Sequence, residues 1–206
     1  MANLEDGNIE ITENQYFSKT KIFGIGLDYS GLQSLTSALQ ILGYNVSYSP
    51  LDIIDFKKFS YGDYHLPLLA DCDGVTGEFL SPFYAQLSQI YPNSKFIFTL
   101  QDKHAWLEIV EKKWFSQSEI FNSALVDVHV EWQRFVRAAL YGVWSFNSER
   151  LAYIYDNYYT SVTEFFRHRP NSLLILDLTT GNPWTKLCKF LDCSVPDLNF
   201  PIVNNC

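Results

Sequence analysis

The segment Lys21-Ile-Phe-Gly-Ile-Gly-Leu-Asp-Tyr-Ser-Gly-Leu-Gln-Ser-Leu35 constrains this chain more than any other. It begins as a short apolar run, turns through glycines, and continues with Leu35, Ala38, Leu39 and Leu42 at helical spacing. A strand, a tight turn and a helix in that order form the geometry of a phosphate-binding loop. In such a loop, backbone N–H groups and the helix dipole converge on an anion. Here the turn is Asp28-Tyr29-Ser30-Gly31, so the customary lysine is missing and a carboxylate stands nearby. The scaffold reads as a nucleotide-binding one whose site has been emptied. Taken alone, such a turn is also what an ordinary strand-to-helix connection requires.

The rest of the chain alternates in kind. Apolar runs at 22–27, 66–71, 95–100 and 173–177 read as buried strands. Helical spacing predicts helices over 32–42, 51–59, 80–90, from Asp102 onward, 118–141 and 148–167. Gly43 closes the first of these as a C-terminal cap, and Asn182-Pro183 opens a last helix. Residues 1–18 read as a polar arm, and the tail from Val195 as extended and proline-punctuated. Strands separated by helices pair in parallel through right-handed crossovers. The expectation is therefore an α/β fold: one domain over 19–206, with a central parallel sheet flanked by helices on both faces. Ligands in such folds meet the carboxyl ends of the strands.

Composition narrows the function classes. With 206 residues, 47% hydrophobic and 17% aromatic, the chain can bury a sizeable core. Its net charge of −8 and lack of a basic stripe speak against a nucleic-acid partner. Lys57-Lys58, Lys112-Lys113 and Arg167-His168-Arg169 read as solvated helix ends. No stretch approaches the ~18 apolar residues of a membrane span. Residues 1–12 lack the basic and apolar regions of a signal peptide. Cys72, Cys188, Cys193 and Cys206 form no C-x-x-C pair and the histidines no H-x-x-x-H, so no metal site is expected. The expected setting is intracellular and soluble.

Three blocks of motifs, spaced over residues 20–204, carry a resemblance. The first is Phe23-Gly-Ile-Gly-Leu27, Gly31, Ser34-Leu35 and Leu42-Gly-Tyr44. The second is Phe83-Tyr84, then Tyr91-Pro-Asn-Ser-Lys-Phe-Ile-Phe-Thr-Leu-Gln-Asp102, then Trp106. The third is Tyr141-Gly142, Leu176-Asp177, Gly181-Asn-Pro-Trp184, Leu187-Cys-Lys-Phe-Leu191 and Val195-Pro-Asp-Leu-Asn-Phe-Pro201. In this order they resemble the bacterial-type sulfotransferase family, P-loop proteins that use 3′-phosphoadenosine 5′-phosphosulfate.

The resemblance implies where donor binding would lie: Tyr29, Ser30, Gly31, Gln33, Ser34 and Gln101. It also shows departures at the chemistry. Tyr29 replaces the loop lysine, Leu32 and Gln33 replace two hydroxyl residues, and Gln101 replaces the arginine that grips the 3′-phosphate. Ile109 stands for a serine, Gly77 for an acidic candidate base, Tyr158-Tyr159 for a His-Asn pair and Ile202 for a histidine. Sulfuryl transfer asks mainly for charge stabilisation and positioning. The resemblance with these losses therefore implies a vestigial donor site, no catalytic residue, no cofactor and a role with a protein partner or assembly. The alternative is an active sulfotransferase with a rebuilt donor site for a small hydroxylated acceptor. Lys103, Arg134, Arg137 and Arg150 would be surrogate cations and His104 a surrogate base. Tyr153, Tyr155, Tyr158 and Tyr159 could line an adenine pocket or simply pack in the core.

Overall fold

Apolar runs without polar interruption suit buried strands, and three of the four become strands, two of them central and one at the sheet edge. These are β1 (Ile22–Gly26), β4 (Lys95–Leu100) and β5 (Leu173–Asp177). They appear in a computed structural model that describes residues 20–117 and 127–203. The polar arm, residues 118–126 of the expected 118–141 helix, and residues 204–206 lie outside the described residues. Two three-residue strands, β2 (Val46–Tyr48) and β3 (Gly74–Thr76), complete one parallel sheet in the order β2-β3-β1-β4-β5.

The expected strand at 66–71 is a correction. Its centre is a 3-10 helix, Pro67–Ala70, which buries Leu66 and Leu69. Pro67 has no N–H for a ladder and sits comfortably in a first helical turn. The strand position passes to Gly74–Thr76, which pairs with β1 from Ile22↔Gly74 to Gly24↔Thr76. The helix expected over 51–59 is shorter, α2 (Phe56–Ser60), because Asp55 caps it by accepting from the Lys58 N–H. That expected over 80–90 begins as a 3-10 turn, Glu78–Phe83, and becomes α3 (Tyr84–Ile90).

The period-2 alternation of the strands sorts the helices. Phe23, Ile25, Phe96 and Phe98 face a layer that includes α3, α4 (Lys103–Ser116), α5 (Val128–Leu140) and α6 (Ser148–Phe166). Trp106, Val110, Trp132, Val136, Ile154 and Val162 fill that side. Ile22, Ile97 and Leu176 face α1 (Leu32–Ile41) and α7 (Pro183–Leu191) through Leu35, Leu39, Trp184 and Leu187. Helix starts follow their caps: Asp102 accepts from His104 and Ala105 N–H, Asn147 from Arg150, and Asn182 from Trp184. The result is a single α/β domain with helices on both faces. Because every strand is parallel, β1, β3 and β4 deliver their following loops to one edge. No described helix is long and apolar enough to cross a membrane.

Candidate functional site

The loop after β1 is held from several sides. The Ser81 hydroxyl accepts from the Gly26 N–H at 2.9 Å and donates to the Gly26 carbonyl at 2.7 Å. The Tyr141 hydroxyl accepts from the Asp28 N–H at 2.8 Å, and the Trp106 indole donates to the Asp28 carbonyl at 2.8 Å. Ser30 Oγ lies 2.7 Å from Thr99 Oγ1, which ties the loop to β4. A Cβ on Gly26 would fall 2.3 Å from that Ser30 hydroxyl, so only glycine admits the close approach. Tyr29 and Gly31 both take left-handed backbone, at φ 60 and φ 98. Gly31 tolerates this freely, whereas a tyrosine there stores local strain.

A cavity of about 520 Å³ opens beside this loop. All six residues expected to mark the donor position line it: Tyr29, Ser30, Gly31, Gln33, Ser34 and Gln101. Ile109 and Ile202 are in the same wall. Tyr29 and Gln101 meet directly, the Gln101 amide donating to the Tyr29 carbonyl at 3.0 Å. The tail closes the cavity at another side, where the Val203 N–H donates to Ser34 Oγ at 2.9 Å. Leu178 bears on the loop so closely that a Cβ on Gly31 would sit 2.3 Å from its Cδ1. Leu32 does not fill this space; it is buried in the core beneath α1.

Charge is arranged differently from the sequence expectation. Lys112 and Lys113, read as solvated helix positions, line the cavity one turn beyond Ile109. Their i+3 and i+4 spacing from Ile109 was the available signal. Asp28 is absent from this wall. Its carboxylate turns away to accept from the Trp114 indole at 3.2 Å. Among the surrogate cations, Lys103 pairs with Asp156 at 2.5 Å and Arg150 donates to the Tyr141 carbonyl at 2.9 Å. These two residues, with Arg134 and His104, line neither this cavity nor the next. Nor do the four tyrosines of α6. Tyr158 is core and donates to the Ser81 carbonyl at 3.2 Å, Tyr155 holds the Gln101 carbonyl, and Tyr153 and Tyr159 are exposed.

A second cavity, of about 260 Å³, lies on the other side of Tyr29 and Gln33, which line both. It is walled by Asp28, Tyr48, Glu78, Gln117, Trp132 and Arg137, among others. Sequence reasoning placed an empty base position at Gly77. The next residue, Glu78, brings a carboxylate into this cavity. Burial first, and then the nearby Asp28 charge, push the Glu78 carboxyl up to about 7. Tyr48 and Ser49 hydroxyls donate to it at 3.3 and 3.4 Å. Burial raises Asp28 as well, against the pull of Arg137. Arg137 is buried, stacks 4.0 Å over the Trp114 ring and donates to Gln117 Oε1 at 2.7 Å. Gln117 in turn donates to the Tyr29 hydroxyl at 3.4 Å. Burial and the Asp28 charge push that hydroxyl up to about 12, so Tyr29 is neutral near pH 7. The Trp132 indole N–H is a buried donor with no hydrogen-bond partner among the described residues. Among the described residues, no cluster of histidine, cysteine and carboxylate side chains could hold a metal ion.

The wall of the first cavity is mixed, with the cations Lys112 and Lys113 beside neutral and apolar groups. Neutral Tyr29 and Gln101 are bonded to one another there, and Ile109, Leu178, Phe200 and Ile202 supply its apolar part. No match was found among curated proteins. A family model described as a sulfotransferase domain matches residues 21–206, nearly the whole chain, and with the parallel sheet and its edge loop this places the protein in the sulfotransferase family.

Proposed function

We propose that this sulfotransferase-family chain no longer uses the sulfuryl donor and acts as a non-catalytic binding protein within a larger assembly. One observation carries the reading. At the two positions where the resemblance calls for cations, the neutral Gln101 side chain bonds the Tyr29 backbone. A charge-assisted contact to a phosphate contributes ~2–5 kcal/mol when desolvated. Neutral amides and phenols cannot replace that charge. The test is calorimetric titration with 3′-phosphoadenosine 5′-phosphate at moderate salt. Loss of two contacts, each at least tenfold, moves a micromolar ligand towards millimolar. Micromolar affinity would overturn the proposal.

A second reading, an active enzyme with a rebuilt donor site, is favoured by two features. Lys112 and Lys113 line the donor-side cavity, and Glu78 has a carboxyl raised to about 7 in the adjoining one. A base with that value is suited to take an acceptor proton near neutrality. Sulfuryl transfer by the purified chain, abolished in Glu78→Gln, would select this reading.

A further inference from the structure

Helix α7 ends in a motif that brings two cysteines together. Asp192 adopts left-handed backbone (φ 57, ψ 50), and the Cys193 N–H bonds back to the Cys188 carbonyl at 3.0 Å. In this type of helix end the side chains on either side of the left-handed residue face each other. Covalent geometry then caps the Cα separation of Cys188 and Cys193 at about 7 Å, next to the range a disulfide spans. Both side chains join one apolar cluster: Cys188 is buried, and Cys193 is half-buried against it. The Cys193 neighbour adds to the effect of burial in raising the Cys188 thiol to about 11. Neither residue lines either of the two cavities described above.

We propose that Cys188 and Cys193 form a redox pair that closes to a disulfide across the end of α7 when the chain meets a peroxide or a small disulfide oxidant. With hydrogen peroxide the half-buried Cys193 thiolate attacks one oxygen, giving a sulfenic acid and the first water. The Cys188 sulfur then displaces that hydroxyl, which leaves with the Cys188 proton as the second water. Two thiols lose two electrons and two protons, and one peroxide becomes two waters. Burial of Cys188 keeps its thiolate scarce near neutrality, so closure is slow and quickens as pH rises. The bond fixes the root of the tail whose Phe200, Pro201, Ile202 and Val203 line the donor-side cavity.

The test uses the full chain carrying Cys206→Ser, reduced, desalted and treated with hydrogen peroxide. Lys186 and Lys189 provide tryptic cuts around Cys188. A non-reducing digest is expected to join residues 187–189 to residues 190–206 through Cys188 and Cys193. Cys193→Ser is expected to abolish the link and Cys72→Ser to leave it. The oxidised protein is expected to melt about 5 °C higher than the reduced one, as closing a short loop implies. Three results would overturn the proposal. One is both thiols alkylating after oxidation. Another is Cys193 ending as sulfinic acid with Cys188 free, and the third is a link that lowers the melting temperature.

Discussion

The two cavities share Tyr29 and Gln33 yet are built on opposite principles. The donor-side cavity turns polar groups on itself, Gln101 to the Tyr29 carbonyl and Ser34 to the tail, and packs apolar Leu178 close to Gly31. The Glu78 cavity keeps ionisable groups at its wall, with Glu78 and Asp28 on one sign and Arg137 on the other. On the proposed reading, substitution at the loop removed the charge that receives a phosphate while the backbone cradle persisted. In the neighbouring cavity the charges are also structural, because Asp28, Arg137, Trp114 and Gln117 hold each other and the loop.

The largest effect tests that structural claim. Arg137→Met removes the buried cation whose charge opposes that of half-buried Asp28, and removes the donor to Gln117. Breaking a buried charged pair on one side costs ~3–5 kcal/mol. Denaturant unfolding is expected to show a loss near the lower end, since Asp28 can take up a proton. In an Asp28→Asn background the same substitution is expected to cost at least 1 kcal/mol less, as coupled neighbours do. Equal costs in both backgrounds would mean that the two cavities differ in packing and not in charge.

Next is the reverse experiment on the donor side. Tyr29→Lys with Gln101→Arg is expected to strengthen binding of 3′-phosphoadenosine 5′-phosphate by about tenfold per cation. Lysine inherits the left-handed backbone that Tyr29 already tolerates, so the fold is expected to persist by circular dichroism. No gain with an intact fold would assign the block to the apolar wall of Ile109, Leu178 and Ile202. If transfer activity returned and then vanished on Glu78→Gln, the second cavity would hold the base that Gly77 lacks.

Much of this was legible in the sequence, for local reasons. β1 and β4 are apolar runs that two-sided burial explains, β5 is an apolar run that forms the sheet edge, and Asp102 and Asn182 cap helices where their residue types imply. The six donor-position residues gather in one cavity because they sit in the loop after β1, the first turn of α1 and the loop after β4, at neighbouring strand ends. Strands β2 and β3 were not legible, since three residues show no period, and 66–71 misled because its apolar content ignored Pro67. Glu78 was missed by one position, because a loop's backbone angles decide which carboxylate faces inward. Lys112 and Lys113 looked like any solvated pair. The Asp28–Arg137 relation was hidden because only tertiary packing brings α5 beneath the loop.

A smaller effect separates the cavities by pH. The Glu78 carboxyl is raised from 4.5 to about 7 in the folded state. Between those values the folded chain holds the proton and the unfolded chain does not. Stability from this group is therefore full below pH 4.5 and is lost as pH rises through about 7. Glu78→Gln is expected to flatten the stability profile over that window by about 1–2 kcal/mol, discounted for partial solvent screening. Asp28 is raised in the same direction, so some slope is expected to remain. An unchanged slope would place the Glu78 carboxylate in water and remove it as a base.

The smallest effect concerns the lysines that blur the comparison. Lys112 is exposed and Lys113 half-buried, at the donor-side wall, and neither appears in an ion pair among the described residues. Surface charges of this kind contribute little to stability, so Lys112→Ala with Lys113→Ala is expected to change unfolding free energy by less than ~0.5 kcal/mol. Their influence on an anion in the cavity is exposed to solvent and screened within a Debye length of about 8 Å at physiological salt. Residual affinity for 3′-phosphoadenosine 5′-phosphate is therefore expected to fall only about two- to fivefold, and less at higher salt. A fall of a hundredfold, read by the same titration, would show that the positive charge of the donor site had moved from the loop and Gln101 to α4. The donor-side cavity would then be a relocated anion site, and the contrast with the Glu78 cavity would be one of position and not of principle.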